Sequence, residues 1–339
     1  MYQEILNNKI YQINELKSKN KAIISLGCSF VQGQGAFDES FAEKYKDITT
    51  IMGNRMVHVV PKNEVFKYKE EMLAGWESLR SVPTKNLDEI PIDYSIMENE
   101  NSFVEVLCRE YLTDYIAFNF GMKGNGNRAT INQLFRFPEI DFSRFDDIIV
   151  LWFPAGLERF DFAQKATGVS DHFTHITMWP QWNSKTGSVK DLWKGYAYEI
   201  YDDYFTMCEY LDLTSILQLW CKAHNAKLYI YPAYHTEIEK EKFLKIALEP
   251  RHTGVKTRVV SRIKNYPWDK HINFEGCKTI AEFVNFLEMD KSDGYNKNSG
   301  YWHYFNVGSP NLYWTKCAHP SAKSHRMIAK YLAEILRND

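Results

Sequence analysis

Ser29 stands where a nucleophile could do acyl-transfer chemistry. A short apolar run, Ala22 to Leu26, predicts a buried strand, and the chain then turns through Gly-Cys-Ser-Phe-Val-Gln-Gly. This order places Ser29 at the carboxyl end of a strand, where ligands bind in open α/β sheets. If a helix follows the turn, its unpaired amides favour negative charge on the serine oxygen. An ordinary β-to-α turn has the same pattern, so the serine needs partners elsewhere in the chain.

Two distant stretches offer such partners, since an acyl-transfer site also needs a base and hydrogen-bond donors for the oxyanion. His319 precedes Pro320 and the apolar positions of a last helix. Pro320 suits a first helical turn because its missing N–H would be unpaired there. The predicted strand 115–120 opens into a loop with three glycines, among them Gly124. Ser29, His319 and the Gly124 amide could therefore supply the nucleophile, the base and an oxyanion donor.

Four short blocks of sequence lie at predicted strand ends or before the last helix. They are Gly27-Cys28-Ser29, Asn119 to Arg128, Trp152 to Arg159 and His319-Pro320-Ser321. In type and order these blocks resemble the SGNH/GDSL hydrolases. The closest resemblance is to the branch common in tailed bacteriophages, where the serine motif reads Gly-Cys-Ser-Phe. The resemblance covers most of the chain, apart from its insertions.

The resemblance implies a flavodoxin-like fold and the hydrolysis of an ester or acetyl group without a metal or an organic cofactor. It implies that Ser29 is the nucleophile and that the Ser29 amide forms part of the oxyanion hole. Gly124 is then the second oxyanion amide, and His319 is the general base.

Two positions depart from the family pattern. Residues 151–154 hold no asparagine to complete the oxyanion hole. Asn125 or Asn127 could take that place, and we assign Asn127 to it. The family's acid precedes the histidine by two or three residues, but Cys317 and Lys316 occupy those positions.

The missing acid leaves two interpretations open. In the serine proteases the acid orients the imidazole and stabilises its charged form, and disrupting that role costs about 10⁴ in turnover. A Ser-His dyad can work if a backbone carbonyl or a remote carboxylate such as Asp269 or Asp293 holds His319. The alternative is a catalytically impaired SGNH-fold protein that acts as a glycan-binding or virion-structural module.

Candidate substrate contacts lie beside these blocks. We assign Asn125, Trp152 and Arg159 to substrate binding, and we expect a small or glycan-linked ester as the substrate. Arg159 and Asp161 match a polar pair of the phage-type branch, and this pair could equally be a structural ion pair at the sheet edge. Tryptophans in the second insertion could form a platform for sugar rings, or could fill the space under long loops.

The elements that must position these residues alternate along the chain. Apolar runs predict buried parallel strands at 22–26, 115–120, 147–153 and 227–231, separated by segments with helical periodicity. This alternation predicts an α/β fold with right-handed crossovers, arranged as a three-layer α/β/α sandwich around a parallel sheet. Val255 to Val260 is the candidate for a fifth strand.

We interpret residues 1–339 as a single domain with large insertions at about 38–100, 155–198 and 249–314. The first insertion is polar and is expected to be irregular and in part helical, and the second is expected to be irregular. His325, in the last helix, is expected to be a solvated or a capping side chain.

Composition limits the partners. The 339 residues carry 41 basic and 43 acidic side chains, a formal net charge of -2, with no long run of one sign, which disfavours nucleic-acid binding. Six cysteines without a Cys-x-x-Cys motif predict neither a disulfide framework nor a zinc site. No apolar run approaches about 18 residues, so we expect no membrane span. Glu4, Asn7, Asn8 and Glu15 interrupt the apolar positions near the N-terminus, unlike in a signal peptide. The expected location is a cytoplasm, or a virion if the chain is phage-encoded. The sequence leaves the oligomeric state open.

Overall fold

The strands of the fold follow the apolar runs of the sequence. The structure is a computed structural model that describes residues 19–33, 36, 49–52, 55–61, 89–93, 95–122, 126–135, 140–163, 173–176, 195–234, 238–250, 256–289 and 319–338. The described strands are, in chain order, β1 (Lys21–Gly27), β2 (Thr49–Met52), β3 (Arg55–Pro61), β4 (Glu89–Asp93), β5 (Tyr115–Asn119), β6 (Asp147–Phe153), β7 (Phe160–Ala163), β8 (Phe173–Ile176) and β9 (Ala226–Ile230). The four predicted strands correspond to β1, β5, β6 and β9, and their bounds agree within one residue.

These four strands form one parallel sheet in the order β5-β1-β6-β9. Ser25 in β1 is paired with Asn119 in β5 and with Leu151 in β6, and Gly27 is paired with Phe153. Because the strands are parallel and in this register, β1, β5 and β6 end at one edge of the sheet. The turns that follow them are therefore neighbours in space.

Helices cover both faces of the parallel sheet. In chain order the described α-helices are α1 (Ser29–Gln32), α2 (Ser95–Glu100), α3 (Phe103–Val106), α4 (Asn127–Asn132), α5 (Asp203–Ala223), α6 (Lys240–Leu248), α7 (Lys256–Asn265), α8 (Ile280–Met289) and α9 (Ala322–Asn338). Successive residues of a strand point to opposite faces. Ile24 and Val150 accordingly join a core with α5, α6 and α7, whereas Ile23 and Ile149 join a second core with α3, α8 and α9. None of the described helices is long and apolar enough to cross a membrane.

Two smaller antiparallel sheets lie in the predicted insertions. β2, β3 and β4 form one of them in the first insertion, and β7 pairs with β8 in the second. Both insertions therefore contain regular structure that the sequence analysis does not predict. Valines at positions 57, 59 and 60 favour a strand at Arg55–Pro61, and this β-branched run is the signal for it.

The prediction of a fifth strand at Val255 to Val260 is wrong, because residues Lys256–Asn265 form helix α7. The adjacent valines favour a strand by type. However, Val259 and Ile263 are four residues apart and are both buried in the core that α7 shares with α5. That spacing is typical of one face of a helix, and burial of this face outweighs the preference of the individual residues.

Helix α5 offers a test of the core. Leu217 is fully buried, whereas Leu219, two residues later on the same helix, is 67% exposed. We expect Leu217→Ala to lower the free energy of unfolding by about 2–5 kcal/mol, because it leaves a cavity. Leu219→Ala should change it by no more than about 0.5 kcal/mol. Urea unfolding of both variants measures the two values, and equal losses would contradict the described packing of α5.

Candidate active site

Ser29 and His319 meet although 290 positions separate them in the sequence. The distance from Ser29 Oγ to His319 Nε2 is 2.7 Å, which is a hydrogen bond. Ser29 is the first residue of α1, two residues beyond the end of β1, and His319 lies three residues before α9. A neutral imidazole with Nε2 as the acceptor can take the hydroxyl proton as the oxygen attacks a carbonyl carbon. The pair thus has the geometry of a nucleophile and its base.

The turn that carries Ser29 is tight because two glycines border it. A Cβ atom on Gly27 would lie 2.2 Å from Val31 Cγ2, so a larger residue would overlap α1. Gly33, which ends α1, has a φ of 91°, and a Cβ atom there would lie 2.3 Å from the carbonyl oxygen of Glu98. Residues other than glycine rarely adopt this backbone conformation. The glycines therefore allow Ser29 to turn directly off the sheet edge.

Asn119, the last residue of β5, holds the serine turn in place. Its side chain is buried, and its Nδ2 lies 3.2 Å from the carbonyl oxygen of Val31 in α1. The same nitrogen lies 3.1 Å from both Asn99 Oδ1 and Ser102 Oγ. The Oδ1 atom accepts a hydrogen bond of 3.0 Å from the Gly121 amide. One amide group thus joins the serine turn to the loop that follows β5.

The loop after β5 is anchored beside the nucleophile. The Met122 amide donates a hydrogen bond of 3.1 Å to the carbonyl oxygen of Gly27, two residues before Ser29. Gly124 and Asn125 lie outside the described residues. Their assignments to the oxyanion hole and to substrate binding remain predictions.

Asn127 joins this loop to the segment after β6. Its Nδ2 donates to the carbonyl oxygen of Ala155 at 3.2 Å, and its Oδ1 accepts from the Ala155 amide at 2.8 Å. The side chain is buried. These two bonds give Asn127 a structural role, and its assignment to the oxyanion hole stays a prediction.

The structure separates the two predicted substrate contacts of the third block. Trp152 is fully buried, and its ring stacks on that of Tyr210 with the centroids 5.1 Å apart. Trp152 therefore supports the core and presents no surface to a substrate. Arg159 is only partly buried, and its guanidinium carbon lies 5.0 Å from the centroid of the Tyr234 ring.

Aromatic rings connect Arg159 to the base. The Tyr234 ring lies 5.5 Å from the ring of Phe30, which in turn meets the His319 ring edge-on at 5.3 Å. Phe30 follows the nucleophile directly, so the residue beside Ser29 also packs against its base. These contacts restrict the position of the imidazole and place Arg159 at the far end of the same aromatic group.

Of the two remote carboxylates named as possible partners of His319, the structure describes Asp269. It is exposed, pairs with Lys270 at 3.5 Å, and lines a cavity of about 690 Å³ beside the edge strand β9. Among the described residues it makes no hydrogen bond or ion pair with His319. Asp293 and residues 316–317 lie outside the described part of the chain.

His325 is buried, not solvated. Its Nδ1 accepts a hydrogen bond of 3.1 Å from the amide of Phe103, the first residue of α3, and the two rings stack. It is thus a capping side chain, but for a helix other than its own. Burial lowers the pKa of His325 to about 3, and the nearby His319 contributes to the shift. The ring is therefore neutral at pH 7, with its proton on Nε2.

Sequence reasoning missed the roles of Asn119 and His325. A polar residue that ends the otherwise apolar run of β5 is a signal for the first, since buried amides need partners. The spacing of His325 from His319 gives no comparable signal for the second. Within the described ranges, no cluster of three or more His, Cys, Asp or Glu side chains could hold a metal ion.

Comparisons of the chain with family models, with curated proteins and with solved structures found no match.

Replacing Asn119 tests whether its side chain connects the serine turn to the loop that follows β5. Asn119→Ala leaves the buried Gly121 amide without its acceptor, so we expect the free energy of unfolding to fall by about 1–3 kcal/mol. Asn273→Ala, which removes an amide from an exposed position, is the control and should cost no more than about 0.5 kcal/mol. Chemical denaturation measures both, and a loss of equal size in the control would refute the assignment.

The buried His325 should make stability depend on pH. The pKa of its ring is about 3 in the folded state against 6.5 for an unperturbed histidine, so below pH 6.5 the unfolded state binds a proton that the folded state does not. Stability should thus fall as the pH falls from 6.5, by about 2 kcal/mol at pH 5 for this residue. His325→Gln should remove that share of the dependence in urea unfolding at pH 5 and 7. An unchanged difference between the two pH values would show that His325 is not buried as described.

Proposed function

We propose that this chain is a serine ester hydrolase of SGNH type that acts on a small or glycan-linked ester, such as an acetyl ester. The observation that carries this proposal is the hydrogen bond of 2.7 Å between Ser29 Oγ and His319 Nε2. Two residues so far apart in sequence meet at a sheet edge as a hydroxyl and an imidazole, the two groups that acyl transfer to serine requires.

The position of the pair in the sheet supports the proposal. Counting only the four parallel strands in chain order, the spatial order β5-β1-β6-β9 reads 2-1-3-4. This is the beginning of the flavodoxin-like order 2-1-3-4-5, whose switch point lies beside the first strand. Ligands bind at the carboxyl ends of strands at such a point, and Ser29 lies two residues beyond the end of β1. With helices on both faces, we interpret the fold as the three-layer α/β/α sandwich of the SGNH hydrolases.

In the proposed reaction His319 takes the Ser29 proton as Oγ attacks the ester carbonyl, and it returns that proton to the leaving alcohol. Water then attacks the acyl-serine with the same base, and the acid product leaves. We assign the Ser29 and Gly124 amides, with Asn127, to the oxyanion. The reaction needs no metal and no organic cofactor.

Substitution of the pair tests this proposal. Ser29→Ala should lower kcat for p-nitrophenyl acetate by at least about 10³, because the nucleophile is lost, and His319→Ala should do the same. Ser215→Ala, on the outer side of α5, is the matched serine control and should leave kcat unchanged.

A covalent label provides a second readout. A fluorophosphonate should modify Ser29, as located by mass spectrometry of the digested protein, and Ser29→Ala should abolish the modification. Equal hydrolysis by the parent and by Ser29→Ala would refute the enzyme, and would favour the alternative of a non-catalytic binding or structural module.

A further inference from the structure

The side chain of Asp161 in β7 accepts two hydrogen bonds from the backbone at the start of helix α4. Its carboxylate is buried, with Oδ1 accepting a hydrogen bond of 2.7 Å from the Gly126 amide and Oδ2 one of 2.9 Å from the Ala129 amide. A Cβ atom on Gly126 would lie 2.6 Å from Oδ2, so only glycine lets the backbone approach the carboxylate this closely. Each oxygen thus serves a different amide of one short segment.

Residues 126–129 follow Met122 in the sequence, and the Met122 amide is bonded to the turn that carries the nucleophile. After β5, the Gly121 amide is bonded to the Asn119 side chain and the Met122 amide to the carbonyl oxygen of Gly27. Further along the chain, the Gly126 amide is bonded to Asp161. Asn127, the next residue, is bonded to Ala155. Asp161 therefore fixes the far end of a loop whose near end is fixed to the serine turn.

We propose that Asp161 is a positioning residue for the ester hydrolysis proposed above: its ionised carboxylate holds residues 126–129 in the reactive arrangement, and its protonation loosens them and lowers turnover. This inference rests on the proposed function. The physical reason is the number of acceptors. An ionised carboxylate offers a charged acceptor oxygen to each amide. Protonation turns one of these oxygens into a neutral hydroxyl, a weaker acceptor, so the hydrogen bond to that amide weakens.

Burial and the neighbouring charges set the pH at which the Asp161 carboxyl group gains or loses its proton. Burial raises the pKa of Asp161 to about 6, Glu209 adds to the rise, and the two amide bonds and Arg159 oppose it. The charged and titratable neighbours on the packed elements are Arg128 on α4, Glu209 on α5, Glu158 and Arg159 before β7, and Tyr196. Arg128 and Glu209 form an ion pair. Burial raises the pKa of Tyr196, so the phenol stays neutral over the pH range in which Asp161 titrates.

The pH dependence of kcat/KM for p-nitrophenyl acetate between pH 4.5 and 8.5 tests the proposal. Both His319 and Asp161 must be deprotonated in the active parent. A plot of log(kcat/KM) against pH should therefore rise with a slope of about two at its acid end. Asp161→Asn should reduce that slope to about one, and should lower kcat on the plateau by about 10² with little change in KM, because the segment it positions is displaced.

Glu209→Gln is the matched control. It removes a neighbouring negative charge that raises the pKa of Asp161. The part of the pH profile in which kcat/KM falls because Asp161 is protonated, its Asp161 limb, should therefore move to lower pH, while the plateau value stays unchanged. A slope of two retained in Asp161→Asn, or a limb that Glu209→Gln does not move, would overturn the proposal. If Asp161 contributed only to folding, Asp161→Asn would not change the slope of the pH profile, and Glu209→Gln would not move the profile along the pH axis.

A measurement independent of catalysis completes the test. Asn125-Gly126 is the only Asn-Gly pair in the sequence, so labelling asparagine with ¹³C at the carbonyl and glycine with ¹⁵N isolates the Gly126 amide in NMR spectra. In the Ser29→Ala protein this amide proton should shift with a midpoint near pH 6, and the added Asp161→Asn substitution should abolish the shift. An amide that does not titrate refutes the role of Asp161, whether or not the parent is active. A titrating amide in a parent without esterase activity refutes the proposed function and leaves the hold of Asp161 on α4 intact.

Discussion

The buried side-chain amide of Asn119 is the contact on which the site depends. Beyond the last residue of a strand the backbone bonds of the sheet end, and the turns need other partners. Asn119 supplies them, since it lies by the carbonyl of Val31 on the serine side and binds the amide of Gly121 on the loop side. In a buried setting each such bond is costly to lose. One polar side chain thereby extends the order of the parallel sheet into the loops that carry the chemistry.

Close approach of backbones is the second constraint on the site. Glycine stands at three points where a side chain would overlap a neighbour: Gly27 against Val31, Gly33 against Glu98, and Gly126 against Asp161. At the first point the neighbour belongs to the same turn, at the second it is a backbone carbonyl of α2, and at the third it is a carboxylate from the second insertion. The glycines let three separate segments converge on one edge of the sheet, and hydrogen bonds then fix their positions.

Buried ionisable groups around the pair divide into two kinds. His325 is held neutral by burial, and its unprotonated nitrogen serves the backbone of α3. Asp161 is also buried, but two amides and Arg159 favour its charged form and bring its ionisation near neutral pH. The contrast has a simple cause, because a lone acceptor needs no charge, whereas two donors that face one carboxyl group require both oxygens to accept. His325 therefore stays neutral over the pH range in which Asp161 changes its charge.

The sequence by itself determined the parallel strands, because continuous apolar runs bounded by glycine, proline and polar residues leave few other interpretations. It also singled out Ser29 and His319, since each occupies a turn or a helix start of recognisable type. Val255 to Val260 shows the limit of such local patterns, because the burial of one helix face decided that segment. The partners of Asn119, Asp161 and His325 lie up to 222 positions away in sequence, as in the bond from Phe103 to His325. Only the tertiary structure decided these contacts, because a hydrogen bond depends on distance in space and strand pairing sets which distant turns become neighbours.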